Sequence, residues 1–208
     1  MDRNLGVYLV TDAGLSGDRS TIEVVEAAIR GGVDVVQLRE KGRPAKERYR
    51  LGLELRELTR EAGVTLIVND RVDIAGAIGA DGVHVGDDDL PLSVAGERLG
   101  ADAILGRSVS TPEAAREAER AGADYLGVGA VFPTGSKQTD PEQSEIGLER
   151  VRAIREATDL PFVGIGGITP DTAGDVVEAG ADGVAVISAI AGAEDPAAAT
   201  RRLGEAIR

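Results

Sequence analysis

Arg39 and Lys41, two residues apart at the end of the apolar run in "VVQLREKG", are groups suited to holding phosphate, and other apolar runs in the chain also end in polar residues. "LIVND" closes on Asn69 and Asp70, "GVHVGDDD" on Asp87, Asp88 and Asp89, and "ILGRS" on Arg107 and Ser108, while "FPTGSKQ" carries Lys137. Arg39, Lys41 and Lys137 supply cations, and Asp70 and Asp89 supply hard oxygen ligands. Mg2+ binds through one or two carboxylates plus the phosphate oxygens of a substrate, so this set reads as a diphosphate clamp. Asp87 and Asp88 read equally as a solvated acidic turn.

A second group of residues suits a smaller anion. Gly166 and Gly167, followed by Thr169 and Pro170 at a helix start, offer backbone N–H groups where the helix dipole favours negative charge. With Ile187, Ser188 and the next helix start they form a pocket fit for a phosphomonoester, unless the glycines serve only a tight turn. Other chemistry is poorly served. "GAVFPTGSK" lacks the Gly-Lys-Ser/Thr order of a nucleotide-binding loop, and "GVGAVF" lacks the third glycine of a dinucleotide fingerprint. His84 is the single histidine and there is no cysteine, which leaves no Ser-His-Asp pattern with a rim histidine, no histidine-rich zinc site and no thiolate. Its place inside "GVHVG" predicts a satisfied group of the interior.

These groups share a purpose only if one fold gathers them. A phrase that recurs as "GGVDVV", "GADGVHV", "GADAIL", "GADYLGV" and "GADGVAV" places a glycine after an amphipathic run and an aspartate before an apolar one. The glycine can end a helix in the left-handed conformation, and the apolar residues beyond it start a strand. Gly63 ahead of "VTLIVND" is a weaker copy. Eight strands follow: "GVYLVTD", "VDVVQLRE", "TLIVND", "GVHVG", "ILGRS", "YLGVGAVF", "PFVGIGG" and "GVAVIS", each with a helical segment after it. Regular β/α alternation implies parallel strands, and eight units in 208 residues predict a (β/α)8 TIM barrel forming a single domain over residues 1–208. A doubly wound open sheet is the alternative. In a barrel the C-terminal strand ends form one mouth, where all the groups above fall.

The formal net charge of −13 disfavours nucleic acid and anionic membranes as partners. No apolar run approaches the roughly 20 residues of a membrane span, and the N-terminus does not read as a signal peptide. A soluble cytoplasmic protein acting on small molecules is expected, with homo-oligomerisation left open. Only three of the 23 basic residues are lysine, and aromatic residues make up 2 %. Together with the many aspartates this predicts adaptation to high salt, against the alternative of an ordinary acidic protein.

"YLVTD", "VQLREKG", "LIVNDRVDIA", "GVHVGDDDLP", "LGRSVST", "DYLGVGAVFPTGSKQ", "VGIGGIT" and "GVAVISAI" occur in an order that resembles the thiamine phosphate synthase family, over nearly the whole chain. The resemblance implies a Mg2+-dependent barrel enzyme that joins 4-amino-2-methyl-5-pyrimidinylmethyl diphosphate to 4-methyl-5-(2-phosphoethyl)thiazole, or its carboxylated form, with release of pyrophosphate. It assigns Gln37, Arg39, Lys41, Asn69, Ser108 and Lys137 to the pyrimidine diphosphate, with Arg39, Lys41, Ser108 and Lys137 as the catalytic groups. Asp70 and Asp89 are implied as Mg2+ ligands. Thr134, Gly135, Ser136, Gly167, Ile187 and Ser188 are implied on the thiazole phosphate side. Leu38 and Glu40 fall within the implied substrate-binding run, although alternation along the strand turns Glu40 to the opposite face, toward a helix cation. Ser136 stands where the family often has Thr, and residues 87 and 88 are more acidic than usual for it. A thiazole tautomerase of the same fold and a non-catalytic thiazole phosphate binding protein are the alternatives.

Overall fold

The computed structural model describes residues 5–135 and 145–208. Among them, β1 (Gly6–Val10), β2 (Val35–Leu38), β3 (Thr65–Asn69), β4 (Gly82–Val85), β5 (Ile104–Val109), β6 (Tyr125–Gly129), β7 (Phe162–Ile165) and β8 (Gly183–Val186) close into a barrel in sequence order. Every pairing is parallel, and β8 pairs back onto β1 through Gly183 with Gly6 and Val184 with Val7, which rules out the open sheet. Helices α1 (Thr21–Gly31), α2 (Ala45–Ala62), α3 (Val72–Ile78), α4 (Leu92–Leu99), α5 (Pro112–Arg120), α6 (Gly147–Ala157), α7 (Pro170–Glu178), α8 (Ser188–Ala191) and α9 (Pro196–Ala206) follow the strands.

The strands are apolar on both sides because each side meets a different core. Val7, Leu9, Val36, Leu66, Val83 and Leu126 belong to the large cluster shared with the helices. Tyr8, Val35, Ile67, Ile104, Tyr125 and Val163 belong to a second cluster, which fills the barrel interior. Burial on two faces removes the polar alternation that a one-sided sheet would show.

The recurrent phrase has a structural meaning in both of its conserved positions. Gly32, Gly63, Gly79, Gly100, Gly122 and Gly180 all take positive φ, the region in which glycine has no Cβ penalty. The aspartates close a ring of two hydrogen bonds. Asp34, Asp81, Asp124 and Asp182 accept the backbone N–H of Val7, Leu66, Leu105 and Phe162 on a carboxylate oxygen at 2.7–2.9 Å. Each then donates its own N–H to the carbonyl of the same residue. All four stand between an odd-numbered strand and the even-numbered strand after it, so the barrel is stitched as four strand pairs. Asp102, ahead of β5, is the exception: its Gly100 has φ 96° and ψ 170°, outside the left-handed helical region.

Asp81 also holds Arg56 at 2.7 Å. Asp81→Ala leaves the Leu66 N–H without its acceptor and is expected to cost about 1–3 kcal/mol, lowering Tm by about 2–4 °C per kcal/mol in a chain of this size. Asp102→Ala should stay within about 0.5 kcal/mol. Thermal denaturation of the two variants side by side checks the contrast, and equal losses would refute it.

Candidate active site

A cavity of about 770 Å³ opens at the C-terminal mouth of the barrel and takes lining residues from all eight strand ends. Gln37, Arg39 and Lys41 line it from the β2 end, and Asn69, Asp70 and Asp89 from the ends of β3 and β4. Ser108, Thr134, Gly135, Gly167, Ile187 and Ser188 complete the set expected from sequence. Ser136 and Lys137 lie outside the described residues.

Arg39 is anchored before any ligand arrives. Its Nη1 meets Asp12 Oδ2 at 2.6 Å, its backbone N–H donates to Thr11 Oγ1 at 3.1 Å, and its side chain is only 14 % exposed. The polar end of β1 thus serves to hold the cation of β2. Lys41 reaches across to Asp70, Nζ to Oδ2 at 2.9 Å, while half its side chain stays accessible. Asp70 has φ 64°, a backbone conformation that aspartate tolerates better than most residues. Burial holds the Asp70 carboxyl above its ordinary range, opposed by Lys41 and reinforced by the facing Asp89. Two carboxylates at such a place favour a shared cation. Asp89 is aimed by its own loop, accepting the Gly86 N–H at 2.7 Å.

Among the described residues no three His, Cys, Asp or Glu side chains converge as a metal cage. The donor set still fits Mg2+, which takes few protein carboxylates and fills its octahedron with water and substrate oxygens. Asp87 has a different role. Arg107 binds it at 2.6 Å and also donates to the Gly86 carbonyl. Arg107 therefore braces the acidic turn, and the Asp87 side chain is 72 % exposed, as the solvated-turn reading expected.

Two residues of the expected set, Leu38 and Glu40, do not line the cavity. Leu38 is buried in the cluster between strands and helices, near Gly52 of α2 and Ile78 of α3, because alternation along β2 sends it away from the interior where Gln37 points. Glu40 does not line the cavity either. The chain turns at φ 39° there, and the buried carboxylate accepts Thr21 Oγ1 at 2.8 Å, the Ala13 N–H at 3.2 Å and Arg43 Nε at 3.3 Å. Glu40 ties the β1 and β2 loops to the start of α1, and its cation stands in the turn ahead of α2.

The loops expected to form the smaller anion pocket are held together by backbone contact. Gly167 has φ 64°, and a Cβ there would lie 2.5 Å from the Pro133 carbonyl oxygen. The loop after β6 thus rests directly on the loop after β7, and Phe132 N–H donates to the Gly166 carbonyl at 3.1 Å. This contact brings Thr134 and Gly135 beside Gly167 and Thr169.

Beneath these groups runs a line of side chains that sequence reasoning only partly saw. Gln37 Nε2 donates to Tyr8 Oη at 2.7 Å, and Tyr8 Oη meets Tyr125 Oη at 2.8 Å. Tyr125 Oη meets His84 Nδ1 at 3.0 Å, and His84 Nε2 meets Ser108 Oγ at 2.9 Å. His84 is the satisfied interior group expected of it. Tyr8 and Tyr125 were not anticipated, although a polar-tipped ring at an inward strand position always needs a partner for its hydroxyl. Burial pushes both phenols well above their ordinary range and keeps them neutral. Asn69 Nδ2 is buried at the cavity wall with no partner among the described residues, a donor left for whatever fills the space.

The fold and the mouth define a β/α-barrel enzyme that gathers cations and paired carboxylates around one cavity. The thiamine monophosphate synthase family model matches residues 7–190, and the chain belongs to that family. It is 72 % identical over 207 residues to the thiamine-phosphate synthase of Natronomonas pharaonis, covering 100 % of this chain and 97 % of the relative. The corresponding protein of Haloarcula marismortui is 66 % identical, with 97 % and 96 % covered. Among solved structures, the thiamine phosphate pyrophosphorylase of Pyrococcus furiosus superposes with a TM-score of 0.90 at 44 % identity, covering 99 % of this chain and 96 % of that one.

The haloarchaeal relatives agree with the salt adaptation inferred from the −13 charge. Simple screening is nearly complete once the Debye length falls to about 3 Å at 1 M salt. A halophilic surface should therefore keep gaining stability from about 1 M to about 3 M KCl, where exclusion and hydration effects act instead. Thermal melts across that range check this. A Tm that plateaus below about 0.5 M, where charge screening alone acts, would mark an ordinary acidic protein.

Proposed function

We propose that the chain condenses 4-amino-2-methyl-5-pyrimidinylmethyl diphosphate with 4-methyl-5-(2-phosphoethyl)thiazole to give thiamine phosphate and pyrophosphate, or with its carboxylated form to give the same products with loss of CO2 and uptake of a proton at the decarboxylated carbon. The observation that carries it is one cavity lined both by Arg39, Lys41, Asp70 and Asp89 and by Gly167 and Ser188. A thiazole tautomerase has no use for the first group, and a binding protein has no use for a preset cation beside a carboxylate pair.

Asp70 and Asp89 would hold Mg2+ in this reading, and the ion would supply positive charge to offset that of a leaving diphosphate. Arg39, pinned by Asp12 and Thr11, meets the same oxygens without having to reorganise as charge develops, which is the main source of electrostatic catalysis. Lys41 and Lys137 add the remaining cations. The C–O bond of the pyrimidinylmethyl group breaks first, and the ring amino group stabilises the resulting cation. The thiazole nitrogen then attacks that carbon, and no proton has to be removed by the protein. Thr134, Ser136, Gly167 and Ser188 hold the thiazole phosphate, so that the nitrogen faces the cation at high effective concentration. Gln37, Asn69 and Ser108 receive the pyrimidine edge.

No helix among the described residues is long and apolar enough to cross a membrane; the assignment of the reaction to the cytoplasm rests instead on the biosynthetic role of its relatives. Pyrophosphate release by the purified chain should require both substrates and Mg2+ together. Release with either substrate omitted would contradict the condensation.

A further inference from the structure

The line from Gln37 to Ser108 has one proton direction that starts from the Gln37 amide as donor. An amide nitrogen can only donate, so Tyr8 Oη is an acceptor toward Gln37, which leaves its single proton for the Tyr125 oxygen 2.8 Å away. With Tyr8 donating, and Gln37 also within reach of the Tyr125 hydroxyl as a donor, Tyr125 gives its own proton to His84 Nδ1, which makes a neutral ring the Nε2–H tautomer. His84 Nε2 in turn donates to Ser108 Oγ. The serine proton is left over, and Ser108 lines the cavity. At the other end Gln37 Oε1 is left as an acceptor in the same cavity. The barrel leaves space for this line: a Cβ at Gly106 would stand 2.4 Å from the Tyr125 ring and 2.5 Å from His84 Nδ1, and one at Gly127 would stand 2.9 Å from the His84 ring.

We propose that the Gln37–Tyr8–Tyr125–His84–Ser108 line sets Ser108 as a donor and Gln37 as an acceptor toward the bound ring. It thereby selects a heterocycle edge that offers N–H to Gln37 and a lone pair to Ser108. A 4-aminopyrimidine presents such an edge, with its amino group beside a ring nitrogen. The 4-oxo counterpart presents the reverse, a carbonyl beside a ring N–H. To accept it, all five groups would have to invert together, including the amide and the histidine tautomer. Tyr8, Tyr125 and His84 are positioning residues that act through Gln37 and Ser108. The ring selection rests on the proposed function, whereas the proton direction does not.

His84 is the sole histidine, so 15N-histidine labelling gives two ring signals with no assignment problem. In the free wild-type protein Nε2 should be the protonated, pyrrole-like nitrogen and Nδ1 the bare one, and the opposite pattern overturns the proposal. Tyr125→Phe removes the donor that Nδ1 needs and should produce a mixture of tautomers. An unchanged tautomer in a folded variant overturns the role of Tyr125. In competition, the wild type should favour the amino over the oxo pyrimidine diphosphate by about 100-fold or more in kcat/KM, with Tyr125→Phe narrowing that by about 10-fold, since a site built around hydrogen bonds rejects a mismatched edge strongly. A wild-type preference below about 10-fold overturns the selection. The two readings fail separately. Nε2–H without turnover supports the proton direction and counts against the function, and turnover with Nδ1–H overturns the line while leaving the function intact.

Discussion

Arg39→Ala is expected to lower kcat/KM for the pyrimidine diphosphate by about 10²–10³-fold, the scale seen when a preorganised transition-state donor is removed. Affinity for the thiazole phosphate should stay within about 2-fold, because uniform loss is the mark of removed ground-state structure and not of a single lost contact. The size follows from the setting of the side chain. Arg39 is largely buried and held by Asp12 at 2.6 Å, so water cannot readily replace its charge at the departing oxygens. Lys41, with half its side chain accessible, should cost less when truncated, since solvent screens part of its field. Steady-state kinetics with each substrate varied in turn separate these outcomes. Equal losses for both substrates would point to a damaged fold and remove the assignment.

Asp70→Asn and Asp89→Asn should each raise the Mg2+ concentration for half-maximal activity by about 10-fold or more, with partial recovery at saturating Mg2+. The amide keeps the shape and loses the ligand charge. Asp70→Asn should not lower Tm, because burial and the facing Asp89 already disfavour the charged form of Asp70 in the folded protein. Loss of Mg2+ response without loss of stability separates a ligand from a structural ion pair. A Mg2+ titration unchanged in both variants would contradict the metal assignment.

The fold was legible because its joints are written in two residue types. A glycine at positive φ and an aspartate that bridges two strands leave a repeated phrase, and four of the five phrases mark the same two-bond ring. Asp102 keeps the phrase without the ring, so the wording alone does not tell which strand the turn serves. At the site, the polar residues at apolar strand ends fall on the cavity wall at Gln37, Arg39, Lys41, Asn69, Asp70, Asp89 and Ser108. Leu38 and Glu40 entered the set only as neighbours in a continuous run. The period of two along a strand sends Leu38 outward, and the turn at Glu40 folds its carboxylate under the rim. Tyr8 and Tyr125 were invisible for another reason: their contacts join β1 to β6, 117 residues apart, and nothing local in either strand announces the partner.

The condensation itself is tested most directly by 31P NMR of the purified chain mixed with both substrates, Mg2+ and high KCl. The account predicts loss of the pyrimidine diphosphate and thiazole phosphate resonances, with pyrophosphate and thiamine phosphate appearing in equal amounts. Substrate resonances that persist, or pyrophosphate formed without thiamine phosphate, would contradict it.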